Sequence, residues 1–546
     1  MPPSHHAGPG LFAAAMYLIA AALLTSCHAA PGVPGTASTP VVAYTEPHRP
    51  TYHFTPPTKW MNDPNGMVYY DGEYHLFYQH YPDSTVWGPM HWGHAVSADL
   101  VHWTQLPIAL RPDSLGLIFS GSAVVDSNNT SGFGVDGRPP LVAIFTYHDM
   151  AREKAGSTTF QTQGIAYSND RGRTWTKYAG NPVVPNPGFR DMRDPKVIWH
   201  APSRRWIMVL AAGDRVRLFA SYDLRAWQPI SEFGQGIGAH GGVWECPDLF
   251  PLRVAGSSDM RWVLLVSINP GGPNGGSATQ YFVGSFDGTR FALDSTAAPA
   301  RSIASAGGGD GVWLDYGRDN YAGVTWSDVP AADGRRLFIG WMSNWDYATV
   351  VPTVAWRSAM TVPRTLTLHR TNAGLRLYST PVRELRALRT ATRALGSQRL
   401  SGALPIRMPA GTTVSAAELD VEFVVRPGSA SDVSFELSND AGDVYRVGFD
   451  ARANQFYSDR LATPHEFSPK FATAVHRAPR LSTDSIVRMN LYLDRASVEL
   501  FADGGATVLT DIVFPRKDFT TLRLVATGAM VELRSGTVSG LRSIWR

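Results

Sequence analysis

The chain has 546 residues, a length that predicts more than one domain. Charged residues make up only 17% and aromatic residues 11%, while glycine (51) and proline (39) are plentiful, a composition that favours a turn-rich all-β protein. The net charge of +3, with both signs mixed throughout, argues against a nucleic-acid partner, and two cysteines, Cys27 and Cys246, exclude a disulfide framework.

Residues 1–27 are predicted to be an export signal. Residues 11–24 form an apolar run that is too short to cross a bilayer. Residues 24–27, LTSC, resemble a bacterial lipobox, in which Cys27 is lipidated and becomes the new N-terminus. The alternative is ordinary cleavage after Ala29 or Ala30, with loss of the cysteine. Residues 28–51, rich in proline, alanine and threonine, then form a tether.

Residues 60–66, WMNDPNG, hold Asp63 between an amide and a proline. Pro64 restricts Asp63 to extended geometry, while Asn65 and Gly66 suit a tight turn. One interpretation is an Asx turn that closes a hairpin; the other is a carboxylate placed to grip a small polar ligand. The density of polar and aromatic residues that follow favours the ligand site; they are Gln79, Trp87, His91, Trp92 and His94.

A weak repeat follows, in which a serine stands two residues before an aspartate and an aromatic residue comes soon after. The four copies are Ser97/Asp99/Trp103, Ser168/Asp170/Trp175, Ser221/Asp223/Trp227 and Ser285/Asp287/Phe291. The aspartates are 71, 53 and 64 residues apart, about the length of a four-stranded blade, so the repeat predicts a β-propeller. Residues 320–363 leave room for a fifth blade. Generic Asx turns between the strands of a sandwich are the alternative.

The character of the chain changes after the repeats. Residues 381–389, PVRELRALR, are the most helical stretch and predict a linker between domains. Alternating strands resume from about residue 400 and predict two half-buried sheets packed as a sandwich. We therefore expect an all-β fold: a five-bladed β-propeller (52–365), a linker with a short helix (366–396) and a C-terminal β-sandwich (397–546).

Three acidic residues are candidates for chemistry: Asp63, Asp194 before a proline, and Glu245 beside a tryptophan and a cysteine. Each lies near the start of a different predicted blade, and the inner strands of a propeller converge on its axis. Converging carboxylates beside tryptophans fit glycoside chemistry. One carboxylate attacks or stabilises an oxocarbenium-like centre while the second donates a proton to the leaving oxygen. Taken singly, each Asp-Pro fits plain turn chemistry.

A metal site is a further alternative for clustered carboxylates and the nearby histidines. However, His91 and His94 have no cysteine or acidic partner at a recognised ligand spacing. We therefore expect neither a metal nor an organic cofactor.

Four segments resemble signatures of glycoside hydrolase family 32, the β-fructosidases, and occur in that family's order. They are residues 60–66, 119–122 (FSGS), 193–195 (RDP) and 245–247 (ECP). Residues 340–345, 351–353, 356–360, 497–501 and 511–515 are also similar to it, so the likeness covers nearly the whole chain after the leader. The resemblance implies a five-bladed propeller with a β-sandwich, and hydrolysis of terminal β-fructofuranosyl bonds with retention of configuration.

The resemblance also implies roles for the matching residues. Asp63 would be the nucleophile and Glu245 the general acid/base, a retaining pair expected about 5–5.5 Å apart. Asp194 would hold the furanose hydroxyls and stabilise the transition state. Cys246 would serve packing and electrostatic tuning. The fructosyl pocket would be lined by Asn62, Gln79, Trp87, Phe119, Ser120, Arg193 and Trp341.

Residues 341–360 look most like exo-acting fructan hydrolases and yeast-type invertases, although Asp346 stands where the closest patterns carry Gln or Glu. We expect an exported enzyme, secreted or lipid-anchored to the envelope, that releases fructose from the ends of levan or inulin and also cleaves sucrose. The alternatives are an invertase, an endo-levanase or a fructosyltransferase. An inverting arabinanase-like propeller is disfavoured by residues 60–66. A non-catalytic surface glycan-binding lipoprotein would be expected to lack one of the three carboxylates.

Overall fold

The computed structural model describes residues 44–294 and 311–545, and nearly all of their regular structure is β-strand. The predicted signal segment, Cys27 and most of the tether lie outside the described residues. None of the helices in the described ranges is long and apolar enough to cross a membrane.

Five sheets, each of four main antiparallel strands, form the N-terminal propeller. The first comprises β1 (Lys59–Tyr70), β2 (Glu73–Tyr81), β3 (His91–Ser97) and β4 (Thr104–Leu110), and the second β5 (Leu117–Val125), β6 (Leu141–His148), β7 (Gln161–Ser168) and β8 (Thr176–Lys177). The third comprises β9 (Met192–His200), β10 (Arg205–Ala212), β11 (Val216–Ser221) and β12 (Gln228–Phe233), and the fourth β13 (Val243–Arg253), β14 (Met260–Asn269), β15 (Ala278–Phe286) and β16 (Phe291–Leu293). The first strands of neighbouring sheets contact one another around a common axis.

The fifth sheet completes the ring. Its strands are β17 (Tyr321–Thr325), β18 (Arg336–Met342), β21 (Arg364–Thr371) and β22 (Gly374–Pro381), and β20 (Ala359–Met360) pairs with β18. Its neighbour β19 (Trp356–Arg357) pairs in parallel with β1, so the last blade is tied to the first. Among the residues that the structure describes, the short helices are α1 (Met150–Lys154) and 3-10 turns at Ala201–Ser203, Arg383–Leu388 and Asp503–Gly505.

The predicted repeat marks the same turn in four blades, the one between the third and fourth strands. There the aspartate accepts hydrogen bonds from backbone amides, as Asp99 does from Val101 (3.0 Å) and His102 (2.8 Å). The fifth blade makes this turn differently: the Thr371 hydroxyl donates to the carbonyl of Gly374 at 2.8 Å. The fifth copy of the repeat is therefore absent from the sequence although the blade is present.

The C-terminal strands form a sandwich-like sheet. They are β23 (Arg389–Leu395), β24 (Gln398–Pro405), β25 (Ala416–Val424), β26 (Asp432–Ser438), β27 (Val444–Asp450), β28 (Gln455–Ala462), β29 (His476–Pro479), β30 (Ile486–Asp494), β31 (Ser497–Ala502), β32 (Thr507–Ile512) and β33 (Thr521–Leu541). The long β33 pairs with β26 over residues 521–527 and with β25 over residues 532–540, so it joins the two layers. The predicted five-bladed propeller followed by a β-sandwich is confirmed.

The interval 366–396, which we expected to be a linker, is mostly sheet. β21 and β22 complete the fifth blade, and only the 3-10 turn Arg383–Leu388 separates them from β23 of the sandwich. The propeller therefore extends past residue 365. The physical reason is an insertion within the fifth blade. Residues 343–363, which include β19 and β20, separate β18 from β21, so the outer strands of the blade come later in the sequence than expected.

Buried charges hold the sandwich against the propeller. His53, just before β1, lies between Asp494 (Nδ1, 2.8 Å) and Glu499 (Nε2, 2.8 Å) of the sandwich. Arg364 of the fifth blade pairs with Asp315 at 2.9 Å and also with Glu499. All these side chains are buried, so each charge depends on an adjacent partner, and His53 and Arg364 both have partners in the sandwich.

Candidate active site

The segment that carries Asp63 lies within β1 and not in a turn. Two bulges, before and after Pro64, interrupt its pairing with β2. The expected tight turn is therefore wrong at this place; the chain turns later, at Asp71 and Gly72, which have positive φ. A bulge accommodates the missing N–H of Pro64 and re-aims the side chain beside it.

The carboxylate of Asp63 is held by three side chains. Asn62 Nδ2 donates to Oδ1 at 3.0 Å, Ser120 Oγ donates to Oδ2 at 2.9 Å, and the Cys246 thiol lies 3.5 Å from Oδ2. Burial and then the negative charge of Glu245 raise the pKa of Asp63 to about 6, although these hydrogen bonds act in the opposite direction. The group therefore changes charge in the weakly acidic range.

Asp194 lies near the start of β9 with a φ of +66°, a strained conformation for a residue other than glycine. Its amide donates to the hydroxyl of Thr146 at 3.0 Å, and its Oδ2 accepts from the backbone amide of Cys246 at 3.0 Å. Burial raises the pKa of Asp194 to about 7; the charge of Arg193 lowers it, and the charges of the other two carboxylates raise it. Burial is thus the main cause of the raised pKa, and the nearby acids add to it.

Glu245, near the start of β13, accepts hydrogen bonds on both oxygens. Arg193 donates to Oε1 through Nε (3.0 Å) and Nη2 (2.8 Å), and the Tyr321 hydroxyl donates to Oε2. Arg193 is also paired with Asp191 at 2.7 Å. Burial lowers the pKa of Arg193, but the surrounding carboxylates raise it above its usual value. Its positive charge is therefore permanent at this site.

Cys246 joins two of the carboxylates. Its thiol lies 3.5 Å from Asp63 Oδ2 and 3.6 Å from Asp194 Oδ2, and it is buried. Burial and the neighbouring negative charges raise the pKa of the thiol well above its usual value. The thiol is therefore neutral, which suits packing and a weak S–H donor and not a nucleophilic role.

Tryptophans form one wall of the site. Trp341 is fully buried, with its ring 6.3 Å from Trp60 and 4.9 Å from Trp345. Its Nε1 and the Nε2 of the buried Gln79 have no hydrogen-bond partner among the described residues. Buried donors are rarely left unpaired, so these two N–H groups are available to a ligand's oxygen atoms.

A second aromatic group adjoins Ser120. Trp87 is half-buried and meets Phe119 edge-on at 5.9 Å, and Phe119 stacks on His148 at 4.2 Å. Because Ser120 donates to Asp63, this aromatic group is connected to the carboxylates through one residue. The predicted residues Asn62, Ser120, Arg193 and Cys246 all contact an acid directly.

The histidines singled out from the sequence have other partners. His94 is buried, with its Nε2 3.0 Å from the Nδ1 of His75, and His91 bonds the carbonyl of Pro89 at 2.9 Å. Within residues 44–294 and 311–545, no group of three or more His, Cys, Asp or Glu side chains has an arrangement that could hold a metal ion.

Sequence reasoning missed Tyr321, which bonds Glu245, and Asp191, which bonds Arg193. Tyr321 is the first residue of β17, and the start of an inner strand is also where Asp194 and Glu245 lie. A position at the start of an inner strand could have indicated Tyr321 as a site residue. However, the sequence does not show where the inner strand of the fifth blade begins.

Asp346 does not contact the carboxylates. Its side chain pairs with Arg318 at 2.6 Å and with Lys470 of the sandwich at 2.9 Å. The Asp346 side chain therefore contributes to the contact between the propeller and the sandwich. The sequence pattern alone could not distinguish that contact from a substrate contact.

The chain is similar to known proteins over most of its length. Two sequence models match: Glycosyl hydrolases family 32 N-terminal domain at residues 53–381, and Glycosyl hydrolases family 32 C terminal at residues 384–540. The levanase of Bacillus subtilis (strain 168) is 49% identical over 504 residues, which cover 92% of this chain and 72% of that protein. The extracellular exo-inulinase of Aspergillus awamori is 38% identical over 526 residues, covering 92% and 96%.

Solved structures are similar as well. The crystal structure of exo-inulinase from Aspergillus awamori superposes with a TM-score of 0.82 at 36% identity, covering 92% of this chain and all of that one (100%). The β-fructofuranosidase of Schwanniomyces occidentalis, complexed with fructosyl-erythritol, gives a TM-score of 0.76 at 32% identity, covering 92% and 99%.

Proposed function

The chain belongs to glycoside hydrolase family 32, and on that premise we propose that it is an exported retaining β-fructosidase that releases fructose from the non-reducing ends of levan or inulin. The observation that carries the proposal is the convergence of Asp63, Asp194 and Glu245 around Cys246 and Arg193. Levan and inulin are named because the similar proteins are a levanase and exo-inulinases. Sucrose is a further substrate, since it presents the same terminal β-fructofuranosyl unit.

In the first step, Asp63 attacks the anomeric C2 of the terminal fructosyl unit. The bond from C2 to the bridging oxygen breaks, and Glu245 donates a proton to that oxygen, so the shortened chain leaves as an alcohol. The product on the enzyme is a fructosyl ester of Asp63. Asn62 and Ser120 hold the attacking carboxylate at 3.0 and 2.9 Å, which limits its motion before the attack.

In the second step, Glu245 removes a proton from water, and the water oxygen attacks C2. The ester bond to Asp63 breaks, fructose leaves, and both side chains return to their starting state. Two displacements at C2 give overall retention. A sugar hydroxyl in place of water would give transfer, so a fructosyltransferase is the rival activity at this site.

Asp194 stabilises the positive charge that develops on the sugar. Its Oδ2 is held by the Cys246 amide at 3.0 Å, and we assign its other oxygen to the furanose hydroxyls. The negative charges of Asp63 and Asp194 lie close together, and their mutual repulsion is relieved as the sugar becomes cationic. The unpaired N–H groups of Gln79 and Trp341 are assigned to the hydroxyls of the same fructosyl unit.

Export agrees with the extracellular exo-inulinases to which the chain is similar. We assign a lipid anchor to Cys27, which would tether the enzyme to the cell envelope. Replacing Cys27 with alanine should release the protein from membrane to medium if the anchor exists. An unchanged distribution between membrane and medium would contradict the anchor.

A product time course tests the function. The purified protein is incubated with levan, inulin and sucrose, with the Asp63→Ala protein as the blank, and products are separated by chromatography. Fructose alone from the earliest points supports exo-hydrolysis, and the relative rates identify the preferred fructan. Early oligosaccharides from levan would indicate an endo-levanase, longer products would indicate transfer, and cleavage of sucrose alone would indicate an invertase.

A further inference from the structure

A second groove, with a volume of about 570 Å³, lies at the other end of the inner strands; we call it the distal groove. It is lined in part by the C-terminal halves of β9 and β13. These strands carry Asp194 and Glu245 near their N-terminal ends. His200 in its wall is six residues beyond Asp194, which at about 3.3 Å per residue is roughly 20 Å along the strand. Lys196 and Asp248 in its floor are nearer, two and three residues beyond Asp194 and Glu245, or roughly 7–10 Å. None of the residues that line the groove is one of the three acids or a hydrogen-bond partner of an acid described above.

The floor of the distal groove contains buried polar groups with unused hydrogen-bonding capacity. Asp248 is fully buried; its Oδ2 accepts from the amide of Thr325 at 2.6 Å, whereas its Oδ1 has no partner among the described residues. Ser327 Oγ and Arg336 Nε are also buried and unpaired within those residues. An acceptor, a hydroxyl and a donor are thus left open in one groove, at a cost in stability that a bound ligand would remove.

The charges that line the distal groove cancel. The Lys196 ammonium donates to the Thr325 carbonyl at 2.6 Å and lies 3.4 Å from Asp248 Oδ2. Arg336 adds a second positive charge, and Asp328 on the rim adds a second negative charge. A groove with two cations and two carboxylates favours a neutral ligand over an anion or a metal ion, and one that both donates and accepts hydrogen bonds.

The wall of the distal groove is aromatic. Trp262 is half-buried and meets Phe286 edge-on at 5.2 Å, and Trp199 is half-buried beside Trp206 at 5.1 Å. Apolar ring surface next to a few open polar groups is the usual composition of a small-molecule site. The C–H faces of a sugar ring pack on such rings while its hydroxyls reach the polar floor.

We propose that the distal groove is a second saccharide-binding site, which holds a neutral sugar unit away from the carboxylates. The choice of a fructan as its natural occupant rests on the proposed function. Binding at this place would keep one part of a polymer attached while a chain end is processed at the other face, and it requires no chemistry in the groove.

Calorimetric titration tests the proposal. The full-length Asp63→Ala protein, which cannot turn over the probe, is titrated with a fructo-oligosaccharide of four units. Two sites per chain are expected, and Trp262→Ala in the same background should weaken the second site at least tenfold. Tyr222→Ala is the matched control, because Tyr222 is an aromatic residue with 72% of its surface exposed and is absent from the groove lining.

Each outcome separates the two proposals. One site that survives Trp262→Ala unchanged overturns the distal site, whatever the activity of the wild-type protein. Two sites in a protein that releases no fructose leave the distal site standing and overturn the proposed function. If Trp262→Ala lowers the melting temperature strongly, Trp199→Ala replaces it, and a crystal soaked with the same probe must show sugar density in the groove. Ordered water alone there would overturn the assignment.

Discussion

Arg193 donates two hydrogen bonds to one oxygen of Glu245, at 3.0 Å from Nε and 2.8 Å from Nη2. Arg193 is also the chain neighbour of Asp194, and the charge of its guanidinium lowers the pKa of the Asp194 carboxyl. One permanent cation thus serves two of the three acids, and it keeps the proton carrier in a fixed orientation.

Replacing Arg193 tests this dual role. Arg193→Met should lower kcat/KM by about 10–100-fold, because hydrogen bonds to a charged group contribute about 1.5–3 kcal/mol. Arg193→Lys keeps the charge but loses the two-pronged contact, so it should recover only part of the activity. Steady-state kinetics on sucrose measure both variants. Full activity in Arg193→Lys would show that charge alone matters.

Removing the nucleophile should abolish turnover. Asp63→Ala leaves no group to form the ester, so we expect a loss of kcat of at least about 10³-fold. Asp136→Asn, which changes an exposed loop aspartate, is the control and should retain full activity. Near-normal release of fructose from levan by Asp63→Ala would refute the assignment.

Removing the proton carrier should have an effect that depends on the leaving group. Glu245→Ala should keep substrate binding but lower kcat/KM, which reports the first step, by about 10²–10⁴-fold on sucrose and fructans. The loss should be smaller on an aryl β-fructofuranoside, whose leaving group needs no proton. Equal losses on both classes of substrate would contradict a role for Glu245 in proton transfer.

The acidic limb of the pH profile should report Asp63 together with Asp194. The pKa of Asp63 is about 6 and that of Asp194 about 7, and both groups act as carboxylates, so kcat/KM should begin to fall below about pH 7 and fall more steeply below about pH 6. Ser120→Ala removes a hydrogen bond that favours the carboxylate, so the limb should move to higher pH by about 0.5–1 unit. Ser122→Ala, on the same strand, is the control, because the Ser122 hydroxyl accepts from the Val197 amide and should leave the limb in place.

Stability should depend on His53 at alkaline pH. Its two carboxylate partners raise its pKa to about 9 against the opposing effect of burial, whereas the unfolded value is about 6.5. Both states are protonated below 6.5, so the stabilisation is complete there; between 6.5 and 9 only the folded state keeps the proton, and the stabilisation is lost.

Urea unfolding measures this effect. The difference in free energy of unfolding between wild type and His53→Gln should shrink by about 3 kcal/mol from pH 6 to pH 9.5. A difference independent of pH would mean that His53 is neutral in the folded protein.

The sequence was sufficient to count four of the blades and to expect the three acids in one place. A Ser-x-Asp turn is local chemistry, so four blades could be counted from residues such as Asp99 and Asp223 without any tertiary information. Asp194 and Glu245 could be placed together because inner strands converge.

What the sequence did not reveal depends on contacts between distant segments. Whether residues 60–66 turn or bulge is decided by their pairing with β2, and the role of Asp346 by a lysine more than a hundred positions away. Tyr321 has no local motif, and its bond to Glu245 exists only because the fifth blade closes the ring. The end of the propeller was misplaced for the same reason, since an insertion separates the strands of that blade.

The stereochemistry of transfer to methanol tests the central claim most directly. The protein is incubated with sucrose in dilute methanol, and the methyl fructofuranosides, which do not interconvert, are identified by NMR. A fructosyl ester on Asp63 predicts methyl β-fructofuranoside only, because two displacements restore the configuration. The α anomer would contradict the ester, because it forms by a single displacement with methanol at C2.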